Sequence, residues 1–416
     1  MSANTTTAQP DPSDVVELEI TDIAHGGVGV GRAGEVVVFV RGAIPGEKVA
    51  AEITQRRSKL WRARVVDVLD ASPHRVEHPW AVGAAGVTGA ADFGHIDPEF
   101  QLELKTRVLA DAVRRVGGAD LAEHLADHDL TVVGLGEGWH TRTRFDAIKL
   151  ETGIGMHLES SHDVVRIEDM PLAVSDLASL DLFGSAWDRA IEPGARLKVV
   201  APSHGENVVV VDEDVFSAPG IGADDVVQEV VSAGGSLYDY QLAASGFWQV
   251  HAKAPSVLAE LVLAGADVQP GDTVVELFAG AGLFTVPLAR ATGESGHVLT
   301  LEGSKRAVGD ARDNVVGMPW VRARRSQIDA DSIRSACKNA DVVVADPPRA
   351  GLGVEAAREL GGGSARTVVL VSCDPAAMAR DVAELTTAGL VVRGVFPRDI
   401  FPNTHHMEVV TVLSRD

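Results

Sequence analysis

From about residue 254 onward the chain repeats one rhythm, an apolar strand, a turn and then a helix, and this alternation constrains the fold more than any other feature. Residues 273–278, 298–301, 341–345 and 367–372 read as short buried strands, and 283–290, 304–315 and 375–387 as helices. Strands joined through helices lie parallel, so the expected class is α/β, a parallel sheet wrapped by helices. Two further strand-like pieces, 391–396 and 407–413, stand too close for a helical crossover and predict an antiparallel hairpin at the sheet edge.

Open sheets of this kind place their chemistry at the carboxyl ends of the strands. Cys373, in Val371-Ser-Cys-Asp-Pro375, sits there, between a strand and a helix start. The positive end of that helix would favour its thiolate and mark it as a nucleophile, whereas an isolated free cysteine is ordinarily a small buried hydrophobe. Its company favours the nucleophile: Glu276-Leu-Phe-Ala-Gly-Ala-Gly282, Asp346-Pro-Pro-Arg349 and Asn403-Thr-His-His-Met-Glu408 fall at comparable strand ends.

Gly280 and Gly282 allow a tight turn and close approach of a ligand to the backbone. The third glycine of a dinucleotide fingerprint is replaced by Thr285, which disfavours a pyrophosphate and leaves room for a nucleoside without phosphates. Glu302 ends the next strand 22 residues after Gly280, the separation at which an acid accepts ribose hydroxyls. An adenosine moiety fits, with S-adenosylmethionine as the phosphate-free candidate.

A chain of 416 residues exceeds a single core. The expected division is a disordered polar tail over 1–14, a barrel over 15–71, a central α+β domain over 72–253 and the α/β domain over 254–416. The tail makes a poor signal peptide, and no apolar run is long enough to span a membrane. The only cysteines are Cys337 and Cys373, which rules out a disulfide framework and fits a reducing cytoplasm. Net charge is -22, a field that repels phosphate overall. Between Arg41 and Arg64, however, seven cations face only Glu47 and Glu52, and screening lets such a patch act locally. Arg56, Arg57, Lys59 and Arg62 within it are candidate RNA contacts.

Short alternating runs over 15–20, 35–40, 49–54 and 61–69, punctuated by glycines, predict a small β-barrel. In the middle region, Asp97 as cap, Pro98, and the apolar Leu104, Val108, Leu109, Ala112, Val113 and Val116 spell an amphipathic helix stopping at Gly117-Gly118. Residues 196–200 and 207–211 read as strands.

Two strings of the barrel, Ile23-Ala-His-Gly-Gly-Val-Gly-Val-Gly-Arg32 and Val40-Arg-Gly-Ala-Ile-Pro-Gly-Glu-Lys-Val49, resemble a TRAM domain, an OB-type barrel. Together with Phe247-Trp-Gln-Val-His251, Glu276-Leu-Phe-Ala-Gly-Ala-Gly282, Asp346-Pro-Pro-Arg-Ala-Gly351, Val371-Ser-Cys-Asp-Pro375 and Phe401-Pro-Asn-Thr-His-His-Met-Glu408, nearly the whole chain resembles the RNA 5-methyluridine methyltransferases. The resemblance implies a C-terminal class I (Rossmann-like) methyltransferase sheet, S-adenosylmethionine as methyl donor, and methylation of uracil carbon 5 in ribosomal or transfer RNA by a monomer. It also implies that Gln249, Phe278, Glu302 and Asp346 line the donor pocket, Cys373 adds to carbon 6, and Glu408 is the base. Phe247 would stack on the target uracil.

One contrast with a related family and two departures from this one stand out. Pro348 follows Pro347 where the cytosine-5 enzymes carry a cysteine, His251 replaces a common asparagine, and the cysteines that hold an iron-sulfur cluster in related enzymes are missing from 79–95 and near Met170. A four-thiolate cluster is therefore not expected, and no other metal is implied. Two rival readings are a catalytically idle RNA-binding protein, suggested by the missing cluster and acidic surface, and a methyltransferase on a non-RNA substrate, suggested by the charge.

Overall fold

The computed structural model describes residues 15–159 and 161–415, and the tail expected over 1–14 lies outside them. They form two compact units, one of residues 15–108, 157–165 and 402–405, the other of 109–156, 166–401 and 406 onward.

In the first unit five strands close a barrel in the order Val15–Ala24, Val28–Ala33, Val36–Arg41, Leu60–Asp70 and Lys48–Arg57. Alternation puts Leu18, Ile20, Val38, Val40, Val49, Ala51, Ile53 and Ala63 inside. The strand Val28–Ala33 is an addition, because its glycines read as turn punctuation in the sequence. They serve close packing instead: a Cβ on Gly29 would meet Ala43 O at 2.9 Å, and one on Gly31 would meet Glu19 O at 2.9 Å.

Helix Pro98–Ala112 starts as expected, with Asp97 Oδ1 accepting from the Glu99 and Phe100 amides at 3.0 and 3.2 Å. Phe100, Leu104 and Val108 bury against Ile23, Ile44, Phe93 and Ile96. The helix breaks at Gly118 as expected, where φ is 84° and ψ is -179°. A wide turn over Val113–Gly117 feeds a second helix, Gly118–His124, and Val116 is 49% exposed rather than on the apolar face.

The second unit carries a seven-stranded sheet that includes Arg196–Val200 and Val208–Val211, paired antiparallel. A hairpin, Val226–Ala233 with Ser236–Ala243, packs Val231, Tyr240 and Leu242 into the same core as Val274, Leu283 and Val369. An eight-stranded sheet completes the unit. Its order is Val321–Arg325, His297–Glu302, Thr273–Leu277, Val342–Ala345, Thr367–Ser372, Glu408–Ser414, Val391–Asp399 and Val133–Gly134. The first five strands are parallel.

The expected hairpin does not end the sheet. Glu408–Ser414 inserts beside Thr367–Ser372, and the two-residue strand Val133–Gly134 pairs outside Val391–Asp399. Val321–Arg325 forms the opposite edge, and its three arginines hid it from any search for apolar runs. Chain order reverses between Thr273–Leu277 and Val342–Ala345, which opens a crevice beyond their carboxyl ends.

Candidate active site

That crevice is a cavity of about 750 Å³ whose walls include Phe247, Gln249, Phe278, Gly280, Glu302, Asp346, Cys373 and Glu408. Four parallel strands deliver Phe278, Glu302, Asp346 and Cys373 at or just past their last residues. Glu408 arrives from the other direction. The antiparallel register pairs Ser372 with Val409, so one step further sets Cys373 opposite Glu408. Gly282 adjoins the cavity, while the four barrel cations belong to the other compact unit.

The glycine turn is built for close approach. Phe278, Gly280 and Gly282 all have positive φ, at 62°, 56° and 92°, and nothing lies within 4 Å of where a Cβ on Gly280 would stand. Glu302 Oε2 accepts from the Gly280 amide at 3.0 Å and Oε1 from the Ser304 amide at 2.7 Å, which fixes the carboxylate at the mouth of the turn. Thr285, in place of the third glycine, is fully buried and donates to Glu276 Oε2 at 2.5 Å.

The other wall concentrates acid. Burial pushes Glu276 up to about 8 and Asp346 up to about 7, in each case with neighbouring carboxylates adding to the rise, and it pushes Glu408 well up, helped by Asp346. Glu276 Oε1 and Glu408 Oε1 are buried without a hydrogen-bond partner among the described residues. A pocket with the orphaned Glu408 carboxyl oxygen on one side and a ribose-compatible acid on the other fits a ligand that is cationic at one end and a nucleoside at the other, as S-adenosylmethionine is.

The helix start near Cys373 does not make its thiol acidic, contrary to the sequence expectation. Burial pushes the thiol up to about 12, Glu408 and Asp346 add to the rise, and Arg349 opposes it only in part. The Asp374 side chain caps the helix by accepting from the Ala377 amide at 2.8 Å. The two histidines of Asn403–Glu408 diverge. His405 Nδ1 lies 2.6 Å from Asp92 Oδ2, whereas His406 lines the cavity, stands edge-on to Phe401 and accepts from Arg349 Nη2 at 3.2 Å. Arg349 and Arg306 also line the cavity, and neither was singled out from sequence; the quoted Asp-Pro-Pro-Arg string was the available signal for the first. His251 is buried away from that lining, pushed down to about 4 by burial, with Nδ1 accepting from the Lys253 amide.

Part of the barrel's basic run is already neutralised, since Arg41, Lys48 and Arg64 pair with Glu159, Glu17 and Glu52. Arg56, Arg57, Lys59 and Arg62 remain exposed at the end of the hairpin formed by Lys48–Arg57 and Leu60–Asp70, with Arg56 stacked 4.7 Å over Trp61.

Residues 78–96 are knit by hydrogen bonds and contacts that only glycine permits. His78 Nε2 lies 2.8 Å from Ala91 O, the Trp80 amide donates to His78 Nδ1, and Thr88 Oγ1 donates to Val82 O. A Cβ on Gly94 would come within 2.5 Å of His78 Nε2. Gly94→Ala is expected to destabilise the protein by about 1–3 kcal/mol, read as a lower urea midpoint at unchanged slope.

Glu276 gives a pH-dependent counterpart. Its folded pKa, about 8, lies above the ordinary 4.5, so the folded protein holds the proton more tightly. The stability this contributes is full below about 4.5 and is lost as pH rises toward about 8. Glu276→Gln is expected to flatten that decline by up to about 1.4 kcal/mol per pH unit, measured by thermal unfolding at acid and alkaline pH.

Comparison with known proteins converges on this architecture. Residues 321–416 match the family model "tRNA (Uracil-5-)-methyltransferase", and residues 13–66 match the TRAM domain. An RNA methyltransferase of Streptomyces avermitilis is 34% identical over 95% of this chain and 97% of its own. A 23S rRNA (uracil(1939)-C(5))-methyltransferase of Alkalilimnicola ehrlichii is 30% identical over 97% of this chain and 98% of its own. The crystal structure of Pyrococcus abyssi tRNA (uracil-54, C5)-methyltransferase in complex with S-adenosyl-L-homocysteine superposes with TM-score 0.69 at 22% identity, over 96% of this chain and all of that one. Fold and pocket define a class I methyltransferase carrying an OB-type barrel. The chain belongs to the RNA uracil-5 methyltransferase family, whose methyl donor is S-adenosylmethionine. No helix among the described residues is long and apolar enough to cross a membrane.

Proposed function

We propose that the protein methylates carbon 5 of a uridine in ribosomal or transfer RNA through a transient bond between Cys373 and carbon 6. The observation that carries this reading is the register-enforced pairing of Cys373 and Glu408 on one cavity wall. Carbon 5 of uracil is a weak nucleophile while the ring is aromatic. Adding the Cys373 sulfur to carbon 6 pushes the ring electrons toward the carbon 4 oxygen and makes carbon 5 enolate-like. Carbon 5 takes up the sulfonium-activated methyl of the donor as the S–CH3 bond breaks, its electron pair staying on sulfur so that the neutral thioether S-adenosylhomocysteine leaves. Glu408 then removes the carbon 5 proton, and the electrons of that C–H bond restore the double bond and expel the thiolate.

Burial raises the pKa of both Cys373 and Glu408, so the thiol must lose its proton before the sulfur adds, and the carboxyl must be ionised before it acts as base. Arg349, the cation opposing the rise at Cys373, is placed to favour the first loss. Gln249 and Phe278 shape the donor side, and Glu302 is positioned to accept ribose hydroxyls. Phe247, 72% exposed at the cavity, offers a stacking face for a uracil taken out of its helix. The barrel cations supply phosphate contacts.

The test is incubation with labelled S-adenosylmethionine and total RNA from cells lacking 5-methyluridine, followed by nucleoside mapping. Label in 5-methyluridine is expected. Donor binding with no labelled nucleoside would favour an idle RNA-binding protein, and label in 5-methylcytidine would reassign the base.

A further inference from the structure

Acids outnumber bases 59 to 37 in this chain, yet one edge of its largest sheet reverses the balance. Strand Val321–Arg325 carries Arg322, Arg324 and Arg325, all exposed. Arg322 and Arg324 stand two residues apart, so strand alternation sends both to one side, about 6.6 Å apart along the backbone. Neither makes an ion pair among the described residues. Arg312, on the adjoining helix Lys305–Asn314, donates through Nε and Nη2 to Ala323 O and so lays its charge against the same strand.

Between them runs an open groove of about 660 Å³, floored by residues 315–319. The adjoining helix begins with Lys305 and Arg306 and has no acid in its first turn, where the helix dipole favours acids. Other arginines of this unit are compensated: Arg334 by Asp331 and Glu359, Arg358 by Glu384, Arg366 by Asp272. The edge is also continuous with the cavity, since Glu302 pairs in register with Arg325, and Ser304 and Arg306 line the cavity mouth.

We propose that this arginine-bearing sheet edge docks the phosphate backbone of the RNA whose uracil enters the cavity, an inference that rests on the RNA reading above. Guanidinium groups suit it, because they bind phosphate oxygens in pairs and are more weakly hydrated than ammonium groups. A strand edge would need only one or two charges to avoid pairing with another edge.

The test measures binding of a short mixed-sequence RNA by the full-length protein across a salt series. Arg322→Gln/Arg324→Gln is expected to weaken binding about tenfold at low salt and to make the slope of log K against log salt shallower by about 1.4, roughly 0.7 for each lost contact to a single strand. S-adenosylmethionine affinity should not change. Arg322→Lys/Arg324→Lys should keep the slope, and Arg334→Gln/Arg358→Gln, which removes the same two charges from ion-paired surface arginines, should leave RNA binding as in the wild type.

Unchanged affinity and slope in the glutamine variant, beside a wild type that binds and methylates RNA, would overturn the docking surface and leave the proposed activity standing. A wild type that neither binds nor methylates RNA would overturn both. Parallel loss of donor binding in the glutamine variant would show damage to the cavity and count against a surface role.

Discussion

Cys373→Ala is expected to abolish methyl transfer, lowering turnover by about 10⁴-fold or more, while affinity for S-adenosylmethionine stays within about twofold. The asymmetry follows from placement. Cys373 ends the strand next to the antiparallel pair, whereas the glycine turn and Glu302 that suit the adenosine lie on strands at the other side of the chain reversal. Isothermal titration with the donor and a single-turnover methylation assay separate the two quantities. An equal loss in both would mean that the thiol belongs to the donor side and that another group attacks the base. Cys337 is the matched control, because it is buried away from the cavity, pushed up to about 12 by burial alone, and its replacement by Ala should leave the chemistry intact.

Glu408→Gln should produce the opposite phenotype, a protein that starts the reaction and cannot finish it. Addition of sulfur and transfer of methyl both precede removal of the carbon 5 proton, so the variant should accumulate a methylated covalent complex with RNA. The amide keeps the size of the side chain and takes away its basicity. A slow-migrating band on a denaturing gel, carrying both the RNA and the labelled methyl, is the expected readout, with multiple-turnover rate down by about 10²–10⁴-fold. A variant that turns over normally would remove Glu408 from the mechanism. One that forms no adduct would place its role before methyl transfer.

The strand ends were legible because a buried parallel strand must be a short apolar run, and 273–278, 341–345 and 367–372 are such runs with chemistry-bearing residues at their ends. Val321–Arg325 was not, since an exposed edge strand needs no apolar alternation. Gly29 and Gly31 misled in another way, because a glycine that permits close packing inside a barrel looks in sequence like one that permits a turn. The meeting of Cys373 and Glu408 could be expected only through the resemblance, because the two lie 35 positions apart and a register between strands brings them near each other. The high thiol pKa was hidden for the same reason: a helix start is visible locally, whereas burial of the thiol and two carboxyls brought in from other strands are not.

The most direct measurement uses RNA containing 5-fluorouridine, in which fluorine takes the place of the proton that Glu408 removes. Fluorine cannot leave as a cation, so the reaction should halt after methyl transfer with the base still bonded to the enzyme. Digestion and mass spectrometry should find the methylated fluorouridine on the peptide bearing Cys373 and on no other peptide. Stoichiometric methylation of that RNA without a bond to Cys373, or with the bond on a different residue, would contradict the covalent route.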